Sequence, residues 1–320
     1  MKANLKRKIL LLLLILFLAI IWGIIKGSVH LSLLELFQKV NQQILYLRLS
    51  RILLAVIAGS GLAVSGIALQ AILRNPLAEP YLLGTSSGAG LGAVIAIILG
   101  ISGIYLPFAA FLGAILSIIL VYNLARRGNK IPTQSLILSG VIVSMALSAI
   151  IVFLISVSSK EVLHGVIWWL WGSLEVFDFK LLLIVNSIVV LSIVLIFVLS
   201  QDLNAISIGE EEAIHLGINI EATKKWLFFI TSLITASLIC ICGTIGFVGL
   251  IIPHMTRLII GPNHKLLIPA SCLLASAFLV ICDVISRTMF RPLEIPIGVI
   301  TAIIGAPIFI ILLKRSQQVK

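Results

Sequence analysis

Long apolar runs separated by short polar breaks extend from residue 9 to residue 313. The hydrocarbon core of a bilayer is about 30 Å thick, so a helix that crosses it needs roughly 17 to 25 apolar residues. The runs therefore predict an all-α integral membrane protein, a polytopic bundle of about ten transmembrane helices in a single domain, residues 1–320. Ten segments reach or nearly reach the required length: 9–25, 52–72, 82–101, 104–124, 133–157, 181–200, 226–242, 245–260, 266–285 and 296–313.

The composition supports this interpretation. Of the 320 residues, 60% are hydrophobic and 11% are charged, and the mean hydropathy is +1.22, which lies outside the range of a soluble domain. The run 9–25 is interpreted as a retained span and not a cleaved secretory signal, because Trp22, Ile24 and Lys26 stand where small residues would be needed. The weakest boundary is at 243–245, where the glycines hardly interrupt the apolar run.

The net charge of +11 is explained better by topology than by a nucleic-acid partner, because the basic residues stand at the ends of spans. An even number of spans places both termini on one side, and both are basic: Lys2, Lys6, Arg7 and Lys8, and Lys314, Arg315 and Lys320. The positive-inside rule then predicts cytoplasmic termini in an inner membrane. Of the 23 basic residues, fifteen fall on the cytoplasmic side and eight on the outer side, and those eight require a further explanation.

Two groups of glycines interrupt the apolar runs. One has a spacing of four and the other a spacing of three: Gly84, Gly88 and Gly92, and Gly243, Gly246 and Gly249. Each spacing brings its glycines to one face of a helix, where a strip of small residues lets two backbones approach closely in lipid. Such strips also suit the lining or the hinge of a transport path, because thin or irregular backbone is tolerated beside a water-filled cavity.

The stretch RNPLAEP, residues 74–80, is unusually polar for this chain. Pro76 and Pro80 lack an N–H donor and disfavour a helical conformation at Asn75 and Glu79. The charged side chains need water or partners. We therefore predict a shaped cytoplasmic corner formed by Arg74, Asn75, Pro76, Glu79 and Pro80.

The longest predicted cytoplasmic connection, 201–225, contains SIGEEEAIHLG. Ser207 and Glu210 match a capping box, Glu210 and Glu211 suit the positive end of a helix, and Gly217 suits its C-terminal end. The pattern predicts a short helix between two spans. The residues alone leave it either an interfacial connector or a docking element.

Candidate catalytic chemistry is sparse. The chain has no GxxxxGK followed by Ser or Thr, so it lacks a phosphate-binding loop and is not expected to be an enzyme. The four cysteines stand in apolar runs and are expected to pack there: Cys240, Cys242, Cys272 and Cys282. The histidines are not arranged with Cys, Asp or Glu as a ligand set: His30, His164, His215, His254 and His264. We therefore expect no metal site and no cofactor in this chain.

Two features stand near the predicted outer ends of spans. The run WWLW, Trp168–Trp171, is typical of the aromatic belt at a membrane interface, or of a mouth that contacts a large ligand. Asp283 is four residues before Arg287, so one helical turn brings the two side chains together.

Three stretches resemble the FecCD-type permeases, the membrane subunits of ABC importers for iron-siderophores, haem and vitamin B12. They begin RLSRILLAVIAGSG at Arg48, GTIGFVGLIIPHMT at Gly243 and CDVISRTMFRPLEI at Cys282, and they occur in the family's order. Ser50 departs from the pattern, which commonly has proline between the two arginines.

The resemblance implies a subunit like the vitamin B12 importer permease, which forms a homodimer around a translocation path. It implies cytoplasmic ABC ATPase subunits and an extracytoplasmic substrate-binding protein as partners. The predicted short helix would dock on the ATPase through Ala213, Ile214 and Leu216. Outer arginines resemble residues that pair with carboxylates of the binding protein: Arg48, Arg51 and Arg287, with Arg291 as an alternative to Arg287. Headgroup anchoring is the other interpretation of these residues.

The expected function is thus ATP-driven import of an iron-siderophore, haem or cobalamin-type metal chelate by alternating access. An oxyanion such as molybdate is an alternative cargo for the same machinery. A secondary transporter driven by an ion gradient, with Asp283 and Glu294 as coupling groups, is an alternative of another class. A non-transporting membrane scaffold would leave the polar breaks and glycine strips unexplained.

Overall fold

The computed structural model describes residues 2–29, 33–36, 38–128, 130–176 and 178–318, so His30 and Lys320 lie outside the described residues. Helices dominate this part of the chain, and the all-α prediction is confirmed. Two short 3-10 helices lie at Lys39–Asn41 and Pro80–Leu83. The α-helices are α1 (Lys2–Ile25), α2 (Leu33–Leu36), α3 (Gln42–Ile72), α4 (Thr85–Ile98), α5 (Tyr105–Ala125), α6 (Thr133–Ser156), α7 (Lys160–Trp171), α8 (Phe179–Val198), α9 (Ser200–Ile208), α10 (Glu210–His215), α11 (Ile220–Cys242), α12 (Val248–Ile260), α13 (His264–Thr288) and α14 (Ile297–Gln318).

Within the described ranges, seven helices are long and apolar enough to cross a bilayer: α1, α3, α5, α6, α8, α11 and α13. Shorter apolar helices occupy three other predicted spans, namely α4, α12 and α14. The chain is therefore a multi-pass membrane protein, and the expected count of about ten helices is matched only roughly. The agreement is best where one apolar run fills one helix, as in α5.

Helix α3 is the most deeply buried of the long helices. Two glycines let its neighbours reach its backbone. A Cβ atom at Gly59 would lie 2.6 Å from the carbonyl oxygen of Ala275 in α13, and one at Gly66 would overlap the carbonyl group of Gly249 in α12. These small residues make α3 the common surface against which α11, α12 and α13 pack.

Side-chain contacts define two ends of the bundle. At the end that we call the basic face, Lys8 Nζ donates to the carbonyl of Ile259 at 2.5 Å, and Glu221 accepts from the N–H of Ile131 at 3.1 Å. At the other end, the opposite face, the first turns of α3 meet the ends of α1 and α13. The connection that leads to α14 also lies there, since Ile297 N donates to the carbonyl of Gly172.

Three segments differ from the predicted spans. Residues 160–171, expected to be a loop, form α7, because Val166 packs against Val94 and Ile151. The span expected at 82–101 is divided between the Pro80–Leu83 turn and α4. The span expected at 245–260 begins as a helix only at Val248, because residues 243–247 are unwound.

Candidate functional site

A cluster of charged side chains joins α3 to α13 at the opposite face. Arg51 Nη2 lies 3.0 Å from Asp283 Oδ1, and Arg51 Nη1 lies 2.9 Å from Glu294 Oε2. One turn further along α13, Arg287 Nε lies 2.9 Å from Asp283 Oδ2, so the pairing inferred from their spacing is present. Asp283 is 1% exposed, and the cluster therefore compensates its own buried charges.

Arg48 caps α1 instead of joining this cluster. Its guanidinium donates to the carbonyl oxygens of Ile24 at 2.7 Å, Ile25 at 3.0 Å and Val29 at 2.8 Å. The last carbonyl groups of a helix have no donor within the helix, so Arg48 satisfies groups that would otherwise be unpaired.

The docking role expected of these arginines stays a prediction, and within this chain their guanidinium groups are already bound. Arg48, Arg51 and Arg287 are 4%, 12% and 3% exposed, and all three are held by groups of the same chain. The first turns of α3 lie beside the ends of α1 and α13, whose carbonyl and carboxylate oxygens bind the guanidinium groups. Arg291, the fourth expected docking residue, is partly buried in the connection before α14.

A partly enclosed cavity of about 890 Å³ lies beside the charged cluster. Arg51, Glu175 and Glu294 line one side of it, and Trp168 and Trp169 of α7 line another. Two of the three tryptophans of the WWLW run thus face a cavity of the size that small-molecule ligands occupy.

Residues 243–247 leave the helical conformation between the apolar helices α11 and α12. Because α12 has 13 residues, its length is about 20 Å against a hydrocarbon core of about 30 Å. Gly243, with φ of +65°, packs against Gly172, and the hydroxyl of Thr244 donates to the carbonyl of Leu170. Phe247 has φ of +71°, which is unusual for a bulky residue.

The backbone of this unwound stretch is satisfied by side chains from residues 79–81, which we call the arm. The Tyr81 hydroxyl accepts from Ile245 N at 3.0 Å and donates to Ile245 O at 3.1 Å. Glu79 Oε1 accepts from Phe247 N at 3.0 Å. Burial raises the pKa of Glu79, and the bond from Phe247 N–H offsets part of that rise.

The predicted cytoplasmic corner is therefore divided into two parts. Arg74 and Pro76 are exposed, and Asn75 Oδ1 accepts from Leu77 N at 2.9 Å, which is a turn typical of asparagine. Glu79 and Pro80 do not belong to an exposed corner. Pro80 is buried and Glu79 is half-buried, because the chain turns back toward the bundle after Ala78 and meets α12.

Sequence reasoning missed Gln70, which connects α3, the corner and α12. Pro253 has no N–H, so the carbonyl of Gly249 loses its usual donor inside α12. Gln70 Nε2 supplies a donor at 3.3 Å and also lies 3.3 Å from the carbonyl of Ala78. Gln70 Oε1 accepts from Arg257 Nη1 at 2.6 Å. The available signal was a single amide side chain in the apolar run 52–72, together with a proline inside another apolar run.

The two predicted glycine strips have different outcomes. A Cβ atom at Gly88 would lie 2.5 Å from a carbonyl oxygen of α5, and one at Gly92 would overlap another, so these positions bring α4 against α5. Gly84 stands at the start of α4 with φ of +76°. The strip of Gly243, Gly246 and Gly249 is wrong as a helix face, because the first two lie in the unwound stretch.

The connection between α8 and α11 forms two short helices instead of one. The predicted capping box is wrong: Ser207 lies inside α9 and donates to the carbonyl of Leu203 at 2.7 Å. Glu210 instead forms an ion pair with Lys224, in which Lys224 Nζ lies 2.7 Å from Glu210 Oε1. Gly217 follows α10 with φ of +80°.

Helix α10 divides its apolar residues between the interior and the surface. Ala213 is buried against Ala205, Ile206 and Ile220, so it is not an exposed contact. Ile214 and Leu216 are 61% and 69% exposed, and Glu211 is also exposed. The basic face therefore carries an exposed apolar pair, which we call the α10 patch, Ile214 and Leu216.

Metal-ligating residue types are dispersed through the described part of the chain. There, no group of three or more His, Cys, Asp or Glu side chains is arranged to hold a metal ion. The four cysteines are free thiols, and Cys272 alone among them is partly exposed.

Known transport proteins match almost the whole chain. The model of the FecCD transport family matches residues 11–315. The chain belongs to this family. It is 36% identical to the ABC transporter permease protein YvrB of Bacillus subtilis, over 94% of this chain and 91% of that relative. It is 40% identical to the cobalamin import system permease protein BtuC of Halobacterium salinarum, over 85% and 73%. The molybdate import system permease protein MolB of Haemophilus influenzae is 35% identical, over 87% and 83%.

The FecCD fold also matches solved structures. An inward-facing metal-chelate type ABC transporter aligns with a TM-score of 0.89 and 33% identity, over 97% of this chain and 99% of that one. PsaBC of Streptococcus pneumoniae, at a TM-score of 0.58 and 20% identity, shares the fold alone. The FecCD resemblance found in the sequence is thus confirmed. The names of the relatives cover chemically different cargoes, so membership by itself selects none of them.

Proposed function

We propose that this FecCD chain is the membrane permease subunit of an ABC importer for an iron-siderophore, haem or cobalamin-type chelate. The observation that carries the proposal is the similarity to a metal-chelate type ABC transporter along 97% of the chain. The unwound stretch adds support, because irregular backbone at membrane depth is typical of transport proteins. Cargo crosses by alternating access, and a separate subunit hydrolyses ATP. We expect no resident metal or cofactor in this chain, and any metal then arrives within the cargo.

In this proposal the basic face is cytoplasmic and both termini lie there. The support is the excess of basic residues on that side, fifteen of 23. The cavity beside Arg51 then lies on the outer side of the membrane.

The ATPase docks on the α10 patch. Ile214 and Leu216 are exposed although they are apolar, and they project from a short helix between two membrane spans. An exposed apolar pair on a rigid element suits insertion into a groove of a partner.

A second copy of the permease and an extracytoplasmic binding protein complete the importer. The binding protein docks at the opposite face around the cavity. A carboxylate of that partner reaches Arg51 only by displacing Glu294, which is 28% exposed, because Asp283 is buried. Arg51 therefore binds a carboxylate of the binding protein only after Glu294 has left its guanidinium group.

Molybdate is the second candidate cargo, because MolB is 35% identical over 87% of the chain. Gradient-driven transport receives no comparable support. Its proposed coupling groups, Asp283 and Glu294, both lie within 3.0 Å of the guanidinium of Arg51 and are therefore already compensated.

The test is uptake by proteoliposomes that contain the permease and the ATPase that copurifies with it from its native membrane. A ferric siderophore, haem, cyanocobalamin and molybdate are each offered with the copurified binding protein, with and without ATP. We expect accumulation of one metal chelate only when ATP is present. Proton and sodium gradients without ATP are the matched control, and uptake driven by either gradient without an ATPase would contradict the proposal.

A further inference from the structure

The arm replaces hydrogen bonds that an unbroken helix would have made for itself. Ile245 and Phe247 belong to neither α11 nor α12, and their amide groups point to the side chains of Tyr81 and Glu79. These partners are 164 and 168 positions away in the chain. The shape of the unwound stretch thus depends on contacts from the arm.

The carboxyl group of Glu79 loses hydration free energy when it bonds a backbone amide inside the protein. The residue is half-buried, desolvation raises the pKa of its carboxyl group, and among the described residues no ion pair includes it. Burial without a cation disfavours the charged form, but a neutral carboxyl group still accepts a hydrogen bond through its carbonyl oxygen. To hold Phe247 N–H, the side chain at position 79 therefore needs a hydrogen-bond acceptor more than it needs a negative charge.

The unwound stretch connects two regions that the fold otherwise keeps apart. Gly243, at its start, lines the cavity and packs against Gly172. Phe247, at its end, donates its N–H to Glu79. Glu79 directly follows Ala78, and Gln70 donates both to the carbonyl of Ala78 and to the carbonyl of Gly249 in α12. Residues 243–247 thus run from the cavity wall to the residue that bonds Glu79, which directly follows the turn at 74–78.

We infer that Glu79 and Tyr81 are positioning residues for transport, which hold residues 243–247 so that the cavity wall and the basic-face turn move together. Gln70 joins the first turn of α12 to Ala78, at the end of the turn at 74–78, and the arm holds the stretch that precedes α12. The stretch then transmits a displacement of that turn to Gly243. This inference rests on the proposed transport function, because its consequence is measured as cargo moved for each ATP hydrolysed.

The test compares three variants in the proteoliposome assay. Tyr81→Phe removes both bonds to Ile245, and Glu79→Leu removes the acceptor of Phe247 at similar volume. Glu79→Gln keeps an oxygen acceptor without the charge. Tyr105→Phe is the matched control, because this tyrosine is exposed at the start of α5. Hydrogen exchange of peptides covering 243–250 reports the bonds directly, and melting in detergent reports folding.

We expect Tyr81→Phe and Glu79→Leu to lower the cargo moved per ATP by about tenfold and to speed exchange at 245 or 247 by about tenfold, since each leaves a buried group unpaired. Glu79→Gln and Tyr105→Phe are expected to stay within about twofold of the unmodified protein. Recovery by Glu79→Gln is a result that a role based on charge would not give. If Glu79→Leu does not fold, Tyr81→Phe alone carries the transport measurement.

Three results would overturn the inference. The first is normal transport by Tyr81→Phe despite faster exchange in the stretch. The second is unchanged exchange at 245 and 247. The third is failure of Glu79→Gln to the same extent as Glu79→Leu. If instead the unmodified protein and Tyr105→Phe move no cargo with ATP, the proposed function fails, and the exchange data still decide whether the arm holds the stretch.

Discussion

The arginines of the opposite face show that a buried charge requires hydrogen-bond acceptors around it. A guanidinium removed from water needs acceptors for its N–H groups. Arg48 donates to three carbonyl groups, Arg51 donates to two carboxylates, and Arg287 donates to the carbonyl of Gly23 at 3.1 Å and forms an ion pair with Asp283. The spacing in the sequence identified the pair of Asp283 with Arg287, but it did not reveal that Arg51 shares the same carboxylate from another helix.

Replacing Asp283 tests this shared arrangement. Asp283→Ala leaves Arg51 and Arg287 buried without their common carboxylate, and we expect the free energy of unfolding to fall by about 3–5 kcal/mol. Denaturant titration of the purified protein in mixed micelles measures the change. Glu175→Ala is the control: this carboxylate is 51% exposed and 3.9 Å from Arg51, so its loss is expected to change the free energy by no more than about 1 kcal/mol. Equal losses in the two variants would contradict the shared role of Asp283.

Among the helices, hydropathy predicted which segments enter the membrane but not where the backbone stays helical. The span predicted at 133–157 is observed at Thr133–Ser156, because one apolar run fills one helix there. The sequence predicted a weak boundary at 243–245 but not an unwound stretch over 243–247, because the hydrogen-bond partners of that stretch come from the arm. The candidate site was also predicted only in part. The sequence placed the arginines near the correct ends of helices, but it did not identify their partners, which depend on packing between distant segments.

Helix α12 provides a test of such packing between elements. Gln70→Leu leaves the Gly249 carbonyl without a donor, and we expect a loss of about 1–3 kcal/mol in the free energy of unfolding. Adding Pro253→Ala restores an N–H inside the helix, which reaches that carbonyl without Gln70. The second substitution is therefore expected to recover part of the loss.

The four proteins of a double-mutant cycle separate this effect from a general one. Unfolding of the unmodified protein, both single variants and the double variant gives the coupling between positions 70 and 253, which is expected to be about 0.5–3 kcal/mol. Strict additivity of the two single changes would show that Gln70 does not replace the donor that Pro253 lacks.

In the whole molecule, the two faces carry different kinds of surface. The opposite face has a cavity beside a charge cluster that is already internally compensated. The basic face has the α10 patch, which nothing in this chain covers among the described residues. In the proposed function, energy from the ATPase enters at the α10 patch and acts on cargo at the opposite face through the helices between them.

Leu216→Asp tests whether the ATPase binds at the α10 patch of the basic face. Leu216 is 69% exposed, so a carboxylate there meets water in the isolated permease and is expected to leave its folding unchanged. In the complex the same carboxylate would be buried in an apolar contact without a partner, which opposes docking of the ATPase. We expect uptake to fall by about tenfold or more, with ATP hydrolysis no longer stimulated by cargo, while the amount of folded permease is unchanged.

Leu77→Asp is the matched control for that measurement, because Leu77 is an exposed leucine on the same basic face but outside α10. If both substitutions lower uptake equally, the effect belongs to the added negative charge on the basic face and not to the α10 patch. If neither does, the ATPase docks elsewhere. Loss with Leu216→Asp alone leaves contact through α10 as the explanation, because the two variants add the same charge at equally apolar, exposed positions.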